Sequence, residues 1–119
     1  MSETTLSRYY RAVDEGRIDD ALAMLDPDVR FTIVLPTGAK RGLGRTEMGG
    51  YLGGRGVSNR AHVVLRQSLD DDVEFVYGKV TEGQTTTGRF LSGVRLGSDG
   101  LIASYQVTFD TEHDLMEDS

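Results

Sequence analysis

The N-terminal residues place apolar side chains with the period of an α-helix. Four apolar positions at i, i+3, i+4 and i+7 predict an amphipathic helix: Leu6, Tyr9, Tyr10 and Val13. Ser2 or Thr4 is suited to cap its start, and Gly16 to end it. A second apolar face follows, formed by Ile18, Ala21, Leu22 and Leu25, and Pro27 ends it because the residue before a proline leaves helical geometry. The pattern predicts two short antiparallel helices.

The period changes to two from residue 29 onward. The segment 29–35, VRFTIVL, predicts a strand with one apolar face made of Val29, Phe31, Ile33 and Leu35. The same alternation predicts strands at 61–69, 73–82, 85–96 and 101–109, with the turn sequences DDD and GSDG between members of each pair. Only a short helix, near 46–52, interrupts them. Consecutive strands joined by tight turns predict an antiparallel meander.

Together these elements predict one α+β domain over 1–119, in which a curved antiparallel sheet wraps around the N-terminal helices as a cone. Gly78 and Gly93 lie inside strands, where a sheet can bend. The inner faces of the last two strands are predicted to be Phe90, Ser92, Val94 and Leu96, and Ala103, Tyr105, Val107 and Phe109. Residues 111–119 predict a disordered acidic tail, because they are charged and have little to bury.

Composition narrows the functional classes. The formal charge of −6 argues against a nucleic-acid-binding protein, and the lack of cysteine excludes disulfides and thiolate metal sites. The first residues carry no secretory pattern, and no apolar run is long enough for a membrane span. We therefore expect a cytoplasmic protein that binds neither nucleic acid nor a membrane.

The segment 41–56, RGLGRTEMGGYLGGRG, raises the possibility of a phosphate-binding loop. Glu47 occupies the position at which a dinucleotide-binding fingerprint needs its last glycine, and no lysine follows a glycine pair as in a P-loop. The basic residues nearby are Lys40, Arg41, Arg45, Arg55 and Arg60. Phosphate binding is therefore not expected. In a cone-shaped fold this segment would lie near the pocket mouth, where its glycines permit a mobile lid, with its positive charge either solvated or attracting an acidic ligand.

Three stretches resemble the nuclear transport factor 2-like superfamily, which includes ketosteroid isomerase and SnoaL-type polyketide cyclases. They are RYYRAVDEGRIDDALAMLDPDVRFT at 8–32, RGLGRTEMGGYL at 41–52 and GVRLGSDGLIASYQVTFD at 93–110. The resemblance covers nearly the whole chain in order and implies a cone-shaped fold. It does not select a function, because this superfamily contains enzymes, transport factors and assembly domains.

The resemblance also implies where ketosteroid isomerase chemistry would lie. The hydrogen-bonding tyrosine of that enzyme falls on Tyr9, but its base falls on Ile33 and its acid on Ser92. Isoleucine cannot accept a proton, and serine is a weak substitute for a protonated carboxylic acid. Isomerisation by that mechanism is not expected.

An apolar cavity with a few polar groups remains the predicted site. The expected ligand-binding residues are Tyr9, Phe31, Ile33, Ser92 and Tyr105, which suit a small, mostly hydrophobic metabolite. The alternative is that these side chains simply fill the core.

Candidate acid–base residues are few. Tyr9 is a hydrogen-bond donor, and His62 or Asp110 is the candidate proton carrier, since SnoaL-type cyclases use a His and Asp pair. Alternation, however, predicts that His62 faces the surface or a dimer contact. Asp110 ends the last strand and could either cap the strand end or reach into the pocket mouth. No spacing typical of metal ligands occurs, so neither a metal nor a cofactor is expected.

Two hypotheses follow. The chain is either a cofactor-independent isomerase, cyclase or dehydratase, or a non-catalytic ligand-binding or assembly module. Under both, we expect a homodimer through the outer sheet face, where Val64, Tyr77 and Leu91 are apolar.

Overall fold

Two N-terminal helices form in the computed structural model, which describes residues 3–53 and 59–117. The second is shorter than predicted, because Leu25 and Pro27 belong to the first strand. Helix α1 spans Thr5–Asp14 and α2 spans Ile18–Ala23. The Thr4 hydroxyl caps α1 by accepting a hydrogen bond from the Ser7 amide at 3.1 Å. Gly16 ends the first helix with φ of 78°, a left-handed conformation that glycine adopts readily.

The sheet has six strands in the order β2-β1-β6-β5-β4-β3. Their bounds are β1 Leu25–Leu35, β2 Gly38–Leu43, β3 Arg60–Asp70, β4 Val73–Glu82, β5 Thr85–Leu96 and β6 Ile102–Asp110. The predicted α+β fold with a curved sheet is confirmed, but the sheet is mixed and not wholly antiparallel. Strand β1 pairs in parallel with β6, because the meander returns its last strand alongside the first.

The glycine-rich segment differs from the prediction in its first part, whereas the short helix predicted near 46–52 is confirmed. Its first part forms β2, which pairs antiparallel with β1, and the next part forms α3 (Arg45–Gly53). A Cβ at Gly42 would lie 2.6 Å from Cε1 of Phe31, so glycine lets this ring pack on the β2 backbone. The Arg45 guanidinium donates to the Leu25 carbonyl. Much of the segment is therefore structural, whereas 54–58, which include Arg55, lie outside the described residues.

The predicted inner faces are confirmed on the central strands. Buried inward-facing residues from β1, β5 and β6 meet the helices in one core: Val29, Phe31, Ile33, Phe90, Ser92, Val94, Tyr105 and Val107. Leu91 and Arg95 are exposed on the opposite face, as alternation requires. Strand pairing places Phe31 beside Tyr105 and Ile33 beside Val107.

A bulge in β3 reverses the predicted facing of His62 and Val64. His62 pairs with Val80 and Val64 with Gly78, both on the inner face, and the register shifts between Val64 and Arg66. The extra residue in the bulge changes the phase of alternation along the strand. His62 is therefore not a surface residue, and Val64 packs against the core instead of contributing to the outer face.

The start of α1 is attached to the sheet by a buried carboxylate. Glu74 on β4 is 3% exposed, and its two oxygens accept the Thr5 amide at 3.1 Å and the Leu6 amide at 3.0 Å. These amides belong to the helix terminus, which lacks intrahelical partners and carries partial positive charge. Glu74 thus fixes the helix that carries the tyrosines of the cavity described below.

Replacing Glu74 with alanine is expected to lower the free energy of unfolding by about 2–4 kcal/mol, because two charge-assisted hydrogen bonds are lost in a buried place. Urea unfolding measures this change. Glu82→Ala on the same strand is the control: its ion pair with Arg60 is exposed, and its loss should cost less than about 1 kcal/mol. Equal costs for the two variants would contradict the anchoring role of Glu74.

The C-terminal segment contacts the sheet over the described part of the chain. The Leu115 amide donates to the Tyr77 hydroxyl at 2.8 Å, and Arg89 pairs with Asp114 at 3.1 Å. Tyr77 is consequently buried, although it lies on the outer face as predicted. Disorder of the acidic end stays a prediction for residues 118–119, which lie outside the described residues.

Candidate active site

The curved sheet and the helices form a cavity of about 280 Å³ that is open to solvent on one side. This volume is close to the lower end of the roughly 300–1,000 Å³ typical of ligand pockets, so it suits a small molecule. Its walls come from α1, α3 and the ends of five strands, and are mainly apolar or aromatic: Tyr9, Tyr10, Val13, Ile33, Leu35, Pro36, Met48, Tyr51, Leu52, Val80, Tyr105, Val107 and Phe109. Polar side chains on the strand ends include Arg60, Glu82, Thr87, Asp110 and Thr111.

The predicted ligand-binding residues divide into two groups. Tyr9, Ile33 and Tyr105 line the cavity. Phe31 and Ser92 are buried but lie outside its wall: Phe31 packs on Gly42, and the Ser92 hydroxyl donates to the Val76 carbonyl at 3.2 Å.

His62 lines the cavity and is held by Asp14, the last residue of α1. Its Nδ1 lies 2.7 Å from Asp14 Oδ1, and its backbone amide donates to Asp14 Oδ2, also at 2.7 Å. The side chains are 5% and 15% exposed, respectively. Both carboxylate oxygens thus contact one histidine, and Nε2 has no hydrogen-bond partner among the described residues.

Aromatic rings fix the orientation of the His62 ring. Tyr10 stacks on it with a centroid distance of 4.4 Å and an interplanar angle of 14°. Phe90 packs edge-on at 5.3 Å, and Phe109 lies at 6.2 Å. With Asp14 ionised, the favoured neutral tautomer donates its Nδ1 proton to the carboxylate and leaves a lone pair on Nε2. This arrangement can act as a general base.

Asp14 was not predicted as a site residue. It lies 48 positions from His62, so local patterning gives no direct sign of the pair. One signal was present: Asp14 falls four residues after Tyr10, on the same helical face, where an acid interrupts an apolar stripe.

A second polar pair joins Tyr10 and Tyr105, whose hydroxyl oxygens lie 2.7 Å apart. Burial raises the pKa of Tyr10 and raises the pKa of Tyr105 well above the ordinary tyrosine value. Both phenols are therefore neutral near pH 7 and available as hydrogen-bond donors. Tyr9 packs against both rings, with centroid distances of 5.7 Å and 5.8 Å.

The raised pKa values of Tyr10 and Tyr105 predict a loss of stability in alkali. The unfolded chain releases these phenol protons near pH 10, whereas the folded chain retains them. The stabilisation is thus complete below about pH 10 and declines as the pH rises above it. Phenolate absorbance should show Tyr10 and Tyr105 ionising only as the protein unfolds. Tyr10→Phe should remove one of these late-ionising phenols, so the phenolate absorbance change that accompanies unfolding should become smaller. An unchanged absorbance change would contradict this assignment.

Asp110 lies on the cavity rim with its carboxylate engaged by the backbone. Its Oδ1 accepts the Glu112 and His113 amides, each at 2.8 Å. These hydrogen bonds, first that of His113, lower the pKa of Asp110. The carboxylate is therefore ionised and weakly basic near pH 7, and it caps the turn that follows β6.

Comparisons with known proteins agree with this architecture. Residues 6–105 match the family model of the SnoaL-like domain. No curated protein matches the chain.

Within the described residues, no helix has the length and apolar character of a membrane span, and no group of three or more His, Cys, Asp or Glu is arranged to hold a metal ion.

Solved structures share the fold at low sequence identity. A ketosteroid isomerase candidate from Kribbella flavida DSM 17836 is 20% identical, with a TM-score of 0.70 over 97% of this chain and 87% of its own. An LEH-like epoxide hydrolase from M. tuberculosis is 17% identical, with a TM-score of 0.73 over 89% and 80%. An isomerase candidate of the SnoaL-like family from Agrobacterium tumefaciens is 14% identical, with a TM-score of 0.70 over 89% and 95%. Since the family model spans most of the chain, this protein belongs to the SnoaL-like family.

Proposed function

We propose that the protein binds a small, mostly hydrophobic metabolite in the cavity and catalyses a cofactor-independent proton transfer on it. The reaction class is isomerisation, cyclisation or dehydration. His62 is the general base, Asp14 is its positioning residue, and a tyrosine hydroxyl supplies the hydrogen bond to the reacting oxygen. A cytoplasmic location stays a prediction.

The observation that carries this proposal is that His62, which lines the apolar cavity, is hydrogen-bonded to Asp14 behind the cavity wall. A histidine exposed on the surface would not have a carboxylate partner shielded from solvent. A histidine that only fills the core would not line a cavity. Here the 2.7 Å contact at Nδ1 leaves Nε2 as the basic atom, and the ring lines the cavity. General bases of this kind contribute about a hundred- to ten-thousand-fold to rate.

The chemistry follows from these groups. His62 Nε2 takes a proton from a carbon next to a substrate carbonyl, and the electron pair of that C–H bond moves to the carbonyl oxygen as an enolate. A neutral tyrosine hydroxyl, from Tyr9 or the Tyr10–Tyr105 pair, donates a hydrogen bond to that oxygen. Nε2 then returns the proton to another atom of the intermediate, which completes an isomerisation without net gain or loss of protons.

Fold-level comparison supports the same class of activity. The neighbours described above carry the names of isomerases and an epoxide hydrolase. At 14–20% identity this likeness concerns the fold. The assignment of base and positioning residue is therefore argued from His62 and Asp14 of this chain.

The test is exchange of carbon-bound hydrogen for deuterium in small ketones. Cyclohexanone and a panel of aromatic ketones are incubated with the protein in heavy water and followed by proton NMR. We expect exchange that saturates with ketone concentration and exceeds that given by equimolar free imidazole. Across the panel, rates no faster than imidazole, without saturation, would contradict a cavity base.

The outer sheet face supports the proposed homodimer. Phe75 and Leu91 are 45% and 54% exposed there, and they border a groove of about 450 Å³ with Gly93. Val63 adds apolar surface on β3. Contiguous exposed apolar surface on a small domain is typical of a contact face. A second copy of this chain is the proposed occupant, and the same face would serve a non-catalytic dimeric module.

Leu91→Arg is expected to convert this dimer to a monomer, because two copies of the new charge would meet in an apolar contact. Light scattering after size-exclusion chromatography measures the mass. Leu69→Arg is a matched control, since Leu69 is also exposed but lies on the edge strand β3. A wild-type protein that is monomeric at high concentration would contradict the proposed dimer.

A further inference from the structure

His62 stands between two separate spaces. The first is the cavity, and the second is a cleft of about 220 Å³ between α1 and β3, called here the α1–β3 cleft. Its lining residues are Glu3, Ser7, Arg11, Asp14, Glu15, His62, Val64 and Gln67. Among the described residues, His62 alone lines both spaces. The His62 ring therefore lies between the cavity and the α1–β3 cleft.

The two ring nitrogens of His62 have different surroundings. Nδ1 is hydrogen-bonded to Asp14, and Asp14 lines the cleft and not the cavity. Asp14 is the more exposed member of the pair, at 15% against 5%. Tyr10 stacks over the face of the ring and Phe90 packs against it. The more solvent-exposed end of the pair is therefore Asp14, on the cleft side.

The α1–β3 cleft is polar where the cavity is apolar. The Gln67 side-chain oxygen accepts the Thr4 hydroxyl at 2.8 Å and the Ser7 hydroxyl at 2.9 Å. The charged groups that face the cleft are Glu3, Arg11, Asp14 and Glu15, and Glu3 pairs with Arg11. Water enters polar sites of this size, where it finds hydrogen-bond partners. The cleft is therefore suited to proton transfer between His62 and solvent.

We infer that Nδ1 of His62 exchanges its proton with solvent through the α1–β3 cleft, by way of Asp14. This inference rests on the proposed role of His62 as a base. When Nε2 takes a proton from the substrate, the imidazolium passes its Nδ1 proton to Asp14 Oδ1 and then to a water molecule in the cleft. One proton enters the ring at Nε2 and one leaves at Nδ1, so the ring is neutral with its proton on Nε2. That proton then passes to the intermediate while Nδ1 takes a proton back from the cleft through Asp14, which restores the basic Nε2 while the substrate occupies the cavity.

The experiment measures the exchange rate of the His62 ring N–H with water by nitrogen-15 NMR, in the full-length protein without substrate. Val64→Phe fills the cleft from β3, and Val63→Phe places the same side chain on the outer face of the same strand. We expect Val64→Phe to slow exchange at least about tenfold relative to Val63→Phe. Equal rates in the two variants would overturn the inference.

A second variant tests the inference if Val64→Phe does not fold. Arg11 is half exposed on the cleft wall, so Arg11→Trp covers the cleft from its rim without entering the core. It should also slow exchange, whereas exchange that is unaffected by Arg11→Trp in a folded protein counts against the cleft route. Because no substrate is used, a protein without ketone exchange activity can still confirm the route, and an active protein can still contradict it.

Discussion

His62→Gln is expected to lower the saturable rate of ketone deuterium exchange by about a hundred- to ten-thousand-fold. Glutamine keeps a similar size and can still hydrogen-bond to Asp14, but its amide is not a base. The loss should appear in the rate at saturation, whereas ketone affinity should change little, because the apolar walls remain. Isothermal titration with a non-exchanging apolar guest measures the binding separately.

Asp14→Asn provides the companion measurement. The asparagine amide can donate to Nδ1, which would move the His62 proton to Nε2 and remove the basic lone pair from the cavity. Exchange should fall together with a change in the nitrogen-15 shifts of the ring, which a purely structural effect would not produce. Asp110→Asn is the control and should retain most of the activity, because its carboxylate is committed to the backbone amides of the following turn. Full activity in His62→Gln would contradict the assigned base.

Gly78→Ala is expected to cause the largest loss of stability among single-methyl additions to the sheet. A Cβ at Gly78 would lie 2.7 Å from Cζ of Phe90 and still closer to the Val63 carbonyl oxygen of β3. Backbone cannot yield as a flexible side chain does, so the β3–β4 pairing must distort. We expect the free energy of unfolding to fall by about 3 kcal/mol or more, measured by urea unfolding.

Gly93→Ala is the matched control for this prediction. Gly93 lies on the neighbouring strand, and a Cβ there would lie 3.4 Å from the Phe75 ring, an ordinary contact. Its cost should be below about 1 kcal/mol, since the residue is already extended and alanine fits. Because Phe90 packs on both Tyr10 and His62, Gly78→Ala should also disturb the site. Equal stability of the two variants would show that the close approach at Gly78 is not needed.

The parts of the fold that bury apolar side chains were predictable from sequence. Alternation at Phe90, Ser92 and Val94 reports burial directly, and the same signal predicts β1 and β6. Strand β2 gives no such signal, because its residues are mostly exposed and glycine-rich, and its backbone pairing with β1 defines it. The parallel pairing of β1 with β6 is also a long-range property, which strand-by-strand alternation does not encode.

The site was only partly predictable for the same physical reason. Tyr9, Ile33 and Tyr105 line the cavity because they sit on inner faces that alternation reports. His62 was assigned to the wrong face, since a bulge near Val64 changes the phase of β3. Its partner Asp14 comes from another element, and tertiary packing alone brings the two together.

The central claim is that Asp14 holds His62 with a basic Nε2 toward the cavity, and the nitrogen-15 chemical shifts of the His62 ring test it most directly. In the wild-type protein at neutral pH, we predict that Nδ1 of the His62 ring is protonated and that Nε2 is not. Asp14→Asn should reverse the two. A wild-type ring protonated at Nε2, or a mixture of tautomers that is unchanged by Asp14→Asn, would contradict the account.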